Sequence, residues 1–170
     1  MIFYAGHGIN DNNGIFYMLP VAAELERIRA TCLNFEELKQ TVSSIAGKVV
    51  VFIDACHSGN VMGSSRRGGG NDINAVVNEL SSTENGAITF TSSTGKEFSL
   101  EDAAWGNGAF TKAVIEGLNG KAVINGKNKI TIKSLDAYVS ERVKEITGGR
   151  QHPTSVSPPN VSDFPIAVMQ

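Results

Sequence analysis

Apolar residues open the chain: Met1-Ile2-Phe3-Tyr4-Ala5 reads as a buried strand running into Gly6-His7-Gly8, where two glycines permit a sharp turn. Residues 9–19 set Asn12-Asn13-Gly14 between two apolar stretches, which predicts a hairpin-like excursion. Phe35, Leu38, Val42 and Ile45 then recur at helical spacing behind Asn34, a suitable cap. Glu36 and Glu37 fall in the positive first turn of that helix, and Gly47 closes it. Residues 48–54 are a β-branched run, apolar on both faces, as a central strand of a parallel sheet requires. Residues 57–71 (HSGNVMGSSRRGGGN) break the pattern, and their Gly and Ser content predicts a flexible loop.

Periodicity returns with Ile73, Val76, Val77 and Leu80, a helix that Asp72 can start, and with the strand Ala87-Ile88-Thr89-Phe90-Thr91. Ala109, Phe110, Ala113, Val114 and Leu118 form the next helical face, with Gly120 near its end. A short strand at Ile130-Thr131-Ile132, a helix over residues 135–146 followed by Gly148-Gly149, and a proline-containing tail with a last strand over 164–168 complete the chain. This alternation predicts one α/β domain over 1–170, a three-layer sandwich around a mostly parallel sheet, with 1–56 and 72–170 flanking the loop 57–71. In such sheets chemistry collects beyond the carboxyl ends of the strands. His7 and Cys56 stand at two such ends.

Composition narrows the field. A chain of 170 residues, 41% hydrophobic and 19% charged, is ordinary for a single globular domain. Its net charge of −2 provides no basic field for a nucleic-acid backbone. Apolar runs such as residues 49–53 are far short of a membrane span. Two cysteines, Cys32 and Cys56, make no disulfide framework and suit a reducing compartment, which favours the cytoplasm. Cys32 is expected in the core.

Cysteine nucleophiles attack as thiolates and need a base, a task suited to a histidine whose ordinary pKa lies near neutrality. His7 and Cys56 are 49 residues apart, enough for one crossover between adjacent parallel strands with a hairpin attached. Glycines on both sides of His7 leave backbone N–H groups able to point at a substrate oxygen. A zinc site built from His7, Cys32 and His57 lacks any C-x-x-C or H-x-x-x-H pairing. A flavodoxin-like ligand binder would not explain why His7 and Cys56 meet.

The neighbouring residues go further. Phe3-Tyr4-Ala5-Gly6-His7-Gly8 and Val51-Phe52-Ile53-Asp54-Ala55-Cys56-His57-Ser58-Gly59 resemble the histidine and cysteine motifs of the caspase-like peptidases. They are closer to the metacaspase and bacterial caspase-homologue branch than to animal caspases, where Gln usually replaces Asp before Ala-Cys. The similarity continues through Gly106-Asn107-Gly108-Ala109-Phe110-Thr111 and covers most of the chain.

The resemblance implies a cysteine endopeptidase acting on protein or peptide substrates. His7 is then general base and acid, Cys56 the nucleophile, and the N–H groups of Gly8 and Cys56 the oxyanion donors. Asp54 matches a position that lines the S1 pocket and favours Arg or Lys at P1, although it could equally cap a following turn. Residues 88–102 hold Lys96 and no Arg, so an acidic P1 side chain finds few partners there. Caspase-like enzymes commonly cleave the segment joining their larger and smaller parts, and residues 57–71 lie at that junction. Arg66 and Arg67, the charged residues of that stretch, are therefore candidate processing sites.

Three departures qualify the match. Ala5 stands where many metacaspases carry Ser. Residues 57–71 contain no Asp or Glu, so the calcium site of calcium-dependent metacaspases is not supported and no cofactor is expected. The family fold begins with strands and helices ahead of the histidine strand. The expectation is that a preceding segment, or another chain, pairs the outer edge of the first strand, since nothing in these residues is suited to do so. The competing reading is a catalytically silent caspase-like module that binds partner proteins.

Overall fold

The computed structural model describes residues 1–11, 13–57, 73–82, 86–93, 100, 108–124 and 127–169, with the backbone alone at 56, 57 and 73–75. Strand β1 (Ile2–Asn10) turns back into β2 (Phe16–Leu19) through an Asx turn. Asp11 Oδ1 accepts the N–H groups of Asn13 (2.8 Å) and Ile15 (3.0 Å), and Gly14 takes a φ of +80°. The predicted hairpin is present. The predicted sharp turn at Gly6-His7-Gly8 is not, because β1 runs straight through it. Gly8 instead allows a close approach: a Cβ there would lie 2.1 Å from Cζ of Phe16.

Beyond β2 come a 3-10 turn (Leu25–Arg27), a single helical turn α1 (Ile28–Thr31) and the two-residue strand β3 (Leu33–Asn34). Helix α2 (Phe35–Ser44) is capped as its sequence suggests, with Asn34 Oδ1 accepting the Glu36 N–H at 2.8 Å. Strand β4 (Val50–His57), helix α3 (Ile73–Ser82) and strand β5 (Ile88–Thr91) follow. Helix α4 (Ala109–Glu116) widens over Gly117–Lys121, where Gly120 reaches a φ of +112°. Strand β6 (Lys129–Thr131) leads directly into α5 (Ile132–Ile146), which starts earlier than periodicity indicated because Thr131 and Ser134 cap each other's backbone N–H. Strands β7 (Thr154–Val156) and β8 (Pro165–Val168) end the chain.

The main sheet has the order β3-β2-β1-β4-β5-β7, and its central strands β1, β4 and β5 are parallel. Short antiparallel strands extend it on both sides. β6 and β8 pair in a separate small sheet, so the last predicted strand exists but lies outside the main one.

Two cores flank the sheet and complete the three layers. Val49, Val51, Ile53 and Ala55 face Phe35, Leu38 and Val42 of α2 and Val76, Val77 and Leu80 of α3. Val50 and Phe52 face Ala109, Phe110, Ala113 and Val114 of α4 and Leu135, Val139 and Val143 of α5. Phe3, Phe52 and Phe90 occupy matching register positions on the three parallel strands and stack in turn, with centroids 5.9 and 5.0 Å apart. Each such contact adds about 0.5–1.5 kcal/mol beyond burial.

Strand β1 departs from expectation in two ways. It is not buried on both faces, because Phe3, Ala5 and His7 are exposed. Its outer edge is also partly paired from within the chain, since β2 covers residues 7–10. Among the described residues no strand pairs residues 2–6 on that side.

Glu116 ties α4 to α5. Its carboxylate accepts Arg142 Nε at 2.9 Å and the Tyr138 hydroxyl at 2.8 Å, with Lys121 Nζ at 3.1 Å. Chiefly through Arg142, its pKa falls to about 2 despite the opposing effect of burial. A depressed carboxylate stabilises the fold above its unfolded pKa of about 4.3, and the contribution fades as pH falls towards 2. Glu116→Gln is accordingly expected to cost about 2 kcal/mol at pH 7. Denaturant melts at both pH values check this, with the difference from wild type shrinking near pH 2.

Candidate active site

The 49-residue separation of His7 and Cys56 closes in the sheet. Strands β1 and β4 pair in register from Ile2 opposite Val51 to Gly8 opposite His57, which sets His7 directly opposite Cys56. Neighbouring strands lie about 4.7–4.9 Å apart, so the two backbones meet at the carboxyl ends of adjacent parallel strands. His7 is exposed, and its ring makes no hydrogen bond to another described residue. Its main chain is paired on both sides, with Cys56 across one edge and Leu19 across the other.

Asp54 enters the same neighbourhood two register steps below, opposite Ala5. It is 7% exposed, a burial that an aspartate tolerates only with partners. Its Oδ2 accepts the Thr111 hydroxyl at 2.5 Å and the Thr111 N–H at 3.2 Å. Thr111 is the third residue of α4, whose cap position is Gly108 and therefore has no side chain of its own to serve that N–H. The carboxylate of Asp54 takes over this duty from the neighbouring strand, at the end of the helix that favours negative charge. Gly108 makes room for it, because a Cβ there would lie 2.8 Å from Oδ2. Of the two roles the sequence left open for Asp54, capping is therefore present, though of a helix remote in sequence rather than of the next turn.

Other expectations divide. Cys32 lies half-buried at the end of α1, outside both cores, against the expectation of a core position. Arg66 and Arg67 lie outside the described residues, as does all of the loop beyond His57. Among the described residues no three His, Cys, Asp or Glu side chains gather as a metal site, and no helix is long and apolar enough to cross a membrane.

Sequence reasoning missed Thr111, Tyr4 and Gln151. Gln151 is fully buried, donating from Nε2 to the Ser92 carbonyl at 2.7 Å and accepting the Leu100 N–H on Oε1 at 2.8 Å. It thereby ties the carboxyl end of β5 to the residue hydrogen-bonded to the first residue of α4. Only Thr111 carried a usable signal, as a hydroxyl in the first turn of a helix whose cap is glycine.

Comparison with known proteins agrees with this fold. A family model described as the caspase domain matches residues 1–165. Among solved structures, the chain is similar to the crystal structure of a protein from Geobacter sulfurreducens. The TM-score is 0.59 at 16% identity, over 99% of this chain and 70% of that one. At that identity the likeness is one of fold. No curated protein matches the chain in sequence.

Proposed function

The chain belongs to the caspase-domain family of cysteine peptidases, and on that premise we propose that it hydrolyses peptide bonds after Arg or Lys through a Cys56–His7 dyad. The observation that carries the reading is the register of β1 and β4, which sets His7 opposite Cys56. In the proposed reaction His7 takes the Cys56 thiol proton, and the thiolate attacks the scissile carbonyl carbon. Negative charge forms on the former carbonyl oxygen, and backbone N–H groups at the carboxyl ends of β1 and β4 are the donors assigned to it. His7 then returns the proton to the departing amine, leaving a thioester. Water, deprotonated by His7, attacks that thioester and releases the new carboxylate and the thiol.

Asp54 supplies the proposed preference for a basic P1 residue. Its register neighbour is exposed Ala5, whose small side chain leaves space for a long cationic one. The same preference fits self-cleavage at Arg66 or Arg67. The ten residues from Cys56 to Arg66 span up to about 33–36 Å when extended, enough to fold back. The exposed Phe3 and residues 2–6 of β1 fit pairing by a preceding segment or another chain. Within this reading, the residues around Cys56 favour the metacaspase and bacterial caspase-homologue branch, and no metal is assigned a role.

A peptidyl electrophile with Arg at P1 tests the proposal, read by intact mass and peptide mapping. One adduct on Cys56, forming faster than with an Asp-P1 probe, is expected. Absence of reaction, or labelling of half-buried Cys32 instead, would identify a silent interaction module. Fragments ending at Arg66 or Arg67 in the same spectra mark self-cleavage, while a single uncut and fully reactive species would make the loop a linker only.

A further inference from the structure

No described side chain orients the His7 ring, so its position depends on how firmly the main chain at residue 7 is held. On the far side of the β1–β4 pairing, His7 opposite Leu19 is the last register pair of the β1–β2 ladder. There a side chain takes over from the ladder. The Tyr4 ring packs against the α2–α3 core and crosses Gly6, placing its hydroxyl at the seam. That hydroxyl accepts the Leu19 N–H at 2.9 Å and lies 2.6 Å from the His7 carbonyl oxygen and 3.2 Å from the Leu19 carbonyl oxygen. A phenol has one proton to give, and the shorter contact assigns it to His7.

Two further observations fit this arrangement. Burial pushes the Tyr4 phenol up from its usual value, with the Leu19 hydrogen bond opposing, so the donating proton stays in place through neutral pH. Residue 6 also needs to be glycine for the ring to pass. A Cβ at that position would lie 2.9 Å from the Tyr4 oxygen and 3.2 Å from Cζ. Glycine beside the histidine thus makes room for a tyrosine rather than for a turn.

We infer that Tyr4 is a positioning residue for His7. It pins the carbonyl of residue 7 to the end of β2 and so fixes where the imidazole stands relative to the Cys56 position. The inference rests on the Cys56–His7 reading for its catalytic consequence, and on the Tyr4 contacts alone for its structural part. Misplacement of a catalytic group by about 1 Å can cost on the order of a hundredfold in rate.

Tyr4→Phe keeps the ring and removes the hydroxyl. On an Arg-P1 peptide its kcat is expected to fall about 10- to 100-fold with KM within about twofold. Amide exchange at Leu19 should quicken about tenfold, and the single imidazole Cε1–H resonance of His7 should broaden or split. Gly6→Ala, which displaces the hydroxyl while keeping it, should reproduce the kcat loss and add little in the Tyr4→Phe background. Faster Leu19 exchange with unchanged kcat and an unchanged His7 resonance would make Tyr4 merely structural and overturn the inference. So would a Tyr4→Phe protein with every readout at wild-type values. If the wild-type protein cleaves no peptide, the peptidase reading fails by itself and the His7 resonance decides the positioning claim.

Discussion

Cys56→Ala is expected to lower kcat/KM on an Arg-P1 peptide by about 10⁴- to 10⁶-fold while leaving the folded state in place. The magnitude follows from covalent catalysis: without the sulfur there is no thioester, and what remains is substrate binding and oxyanion stabilisation around an unassisted water. His7→Ala should fall nearly as far, because an un-ionised thiol is a poor nucleophile and the departing amine would leave without a proton. The double variant should be scarcely worse than either single one, since the two groups act as a unit. Folding is spared for a structural reason. His7 is exposed with no described partner for its ring, and the β1–β4 ladder at both positions is made by the main chain. Steady-state kinetics alongside denaturant melts check both halves. Full turnover in Cys56→Ala would remove the proposed reaction.

The periodic elements were legible because burial wrote them into the sequence. Phe35, Leu38 and Val42 each face the α2–α3 core, and Ala109, Phe110, Ala113 and Val114 each face the opposite one. β4 could be read because both of its faces are covered, which leaves an unbroken apolar run. The segment from Leu25 to Thr31 could not, because its short helices have no buried residue and so no periodicity to detect. β7 is three half-buried residues next to Pro153, held by the edge of β5 rather than by its own pattern. The reading of β1 failed for a different cause. Gly6 and Gly8 are turn residues by default, and only the packing of Tyr4 and Phe16 against their bare Cα atoms shows that they belong to a strand. The same limit applies at the site. Spacing alone could pair His7 with Cys56, whereas the bond from Asp54 to Thr111 joins residues 57 apart through a fold that had first to exist.

That bond and the proposed P1 contact of Asp54 are separable, and two substitutions divide them. Asn at position 54 keeps an oxygen that can accept from the Thr111 N–H and hydroxyl but carries no charge. Ala keeps neither. Asp54→Ala is therefore expected to lose about 2–4 kcal/mol of stability, because the N–H and hydroxyl of Thr111 are left without their acceptor at a helix end that no other described side chain caps. Asp54→Asn should lose no more than about 1 kcal/mol. Activity should separate the pair in the other sense. If Asp54 receives the P1 cation, Asp54→Asn should lower kcat/KM for Arg-P1 and Lys-P1 peptides by about 10²- to 10³-fold, since a charge-assisted hydrogen bond in a desolvated pocket is lost. Peptides with a neutral P1 should change little. An Asp54→Asn enzyme that keeps its full preference for Arg would leave the carboxylate as the cap of α4 and nothing more. An Asp54→Ala protein as stable as wild type would show instead that Thr111 finds another acceptor.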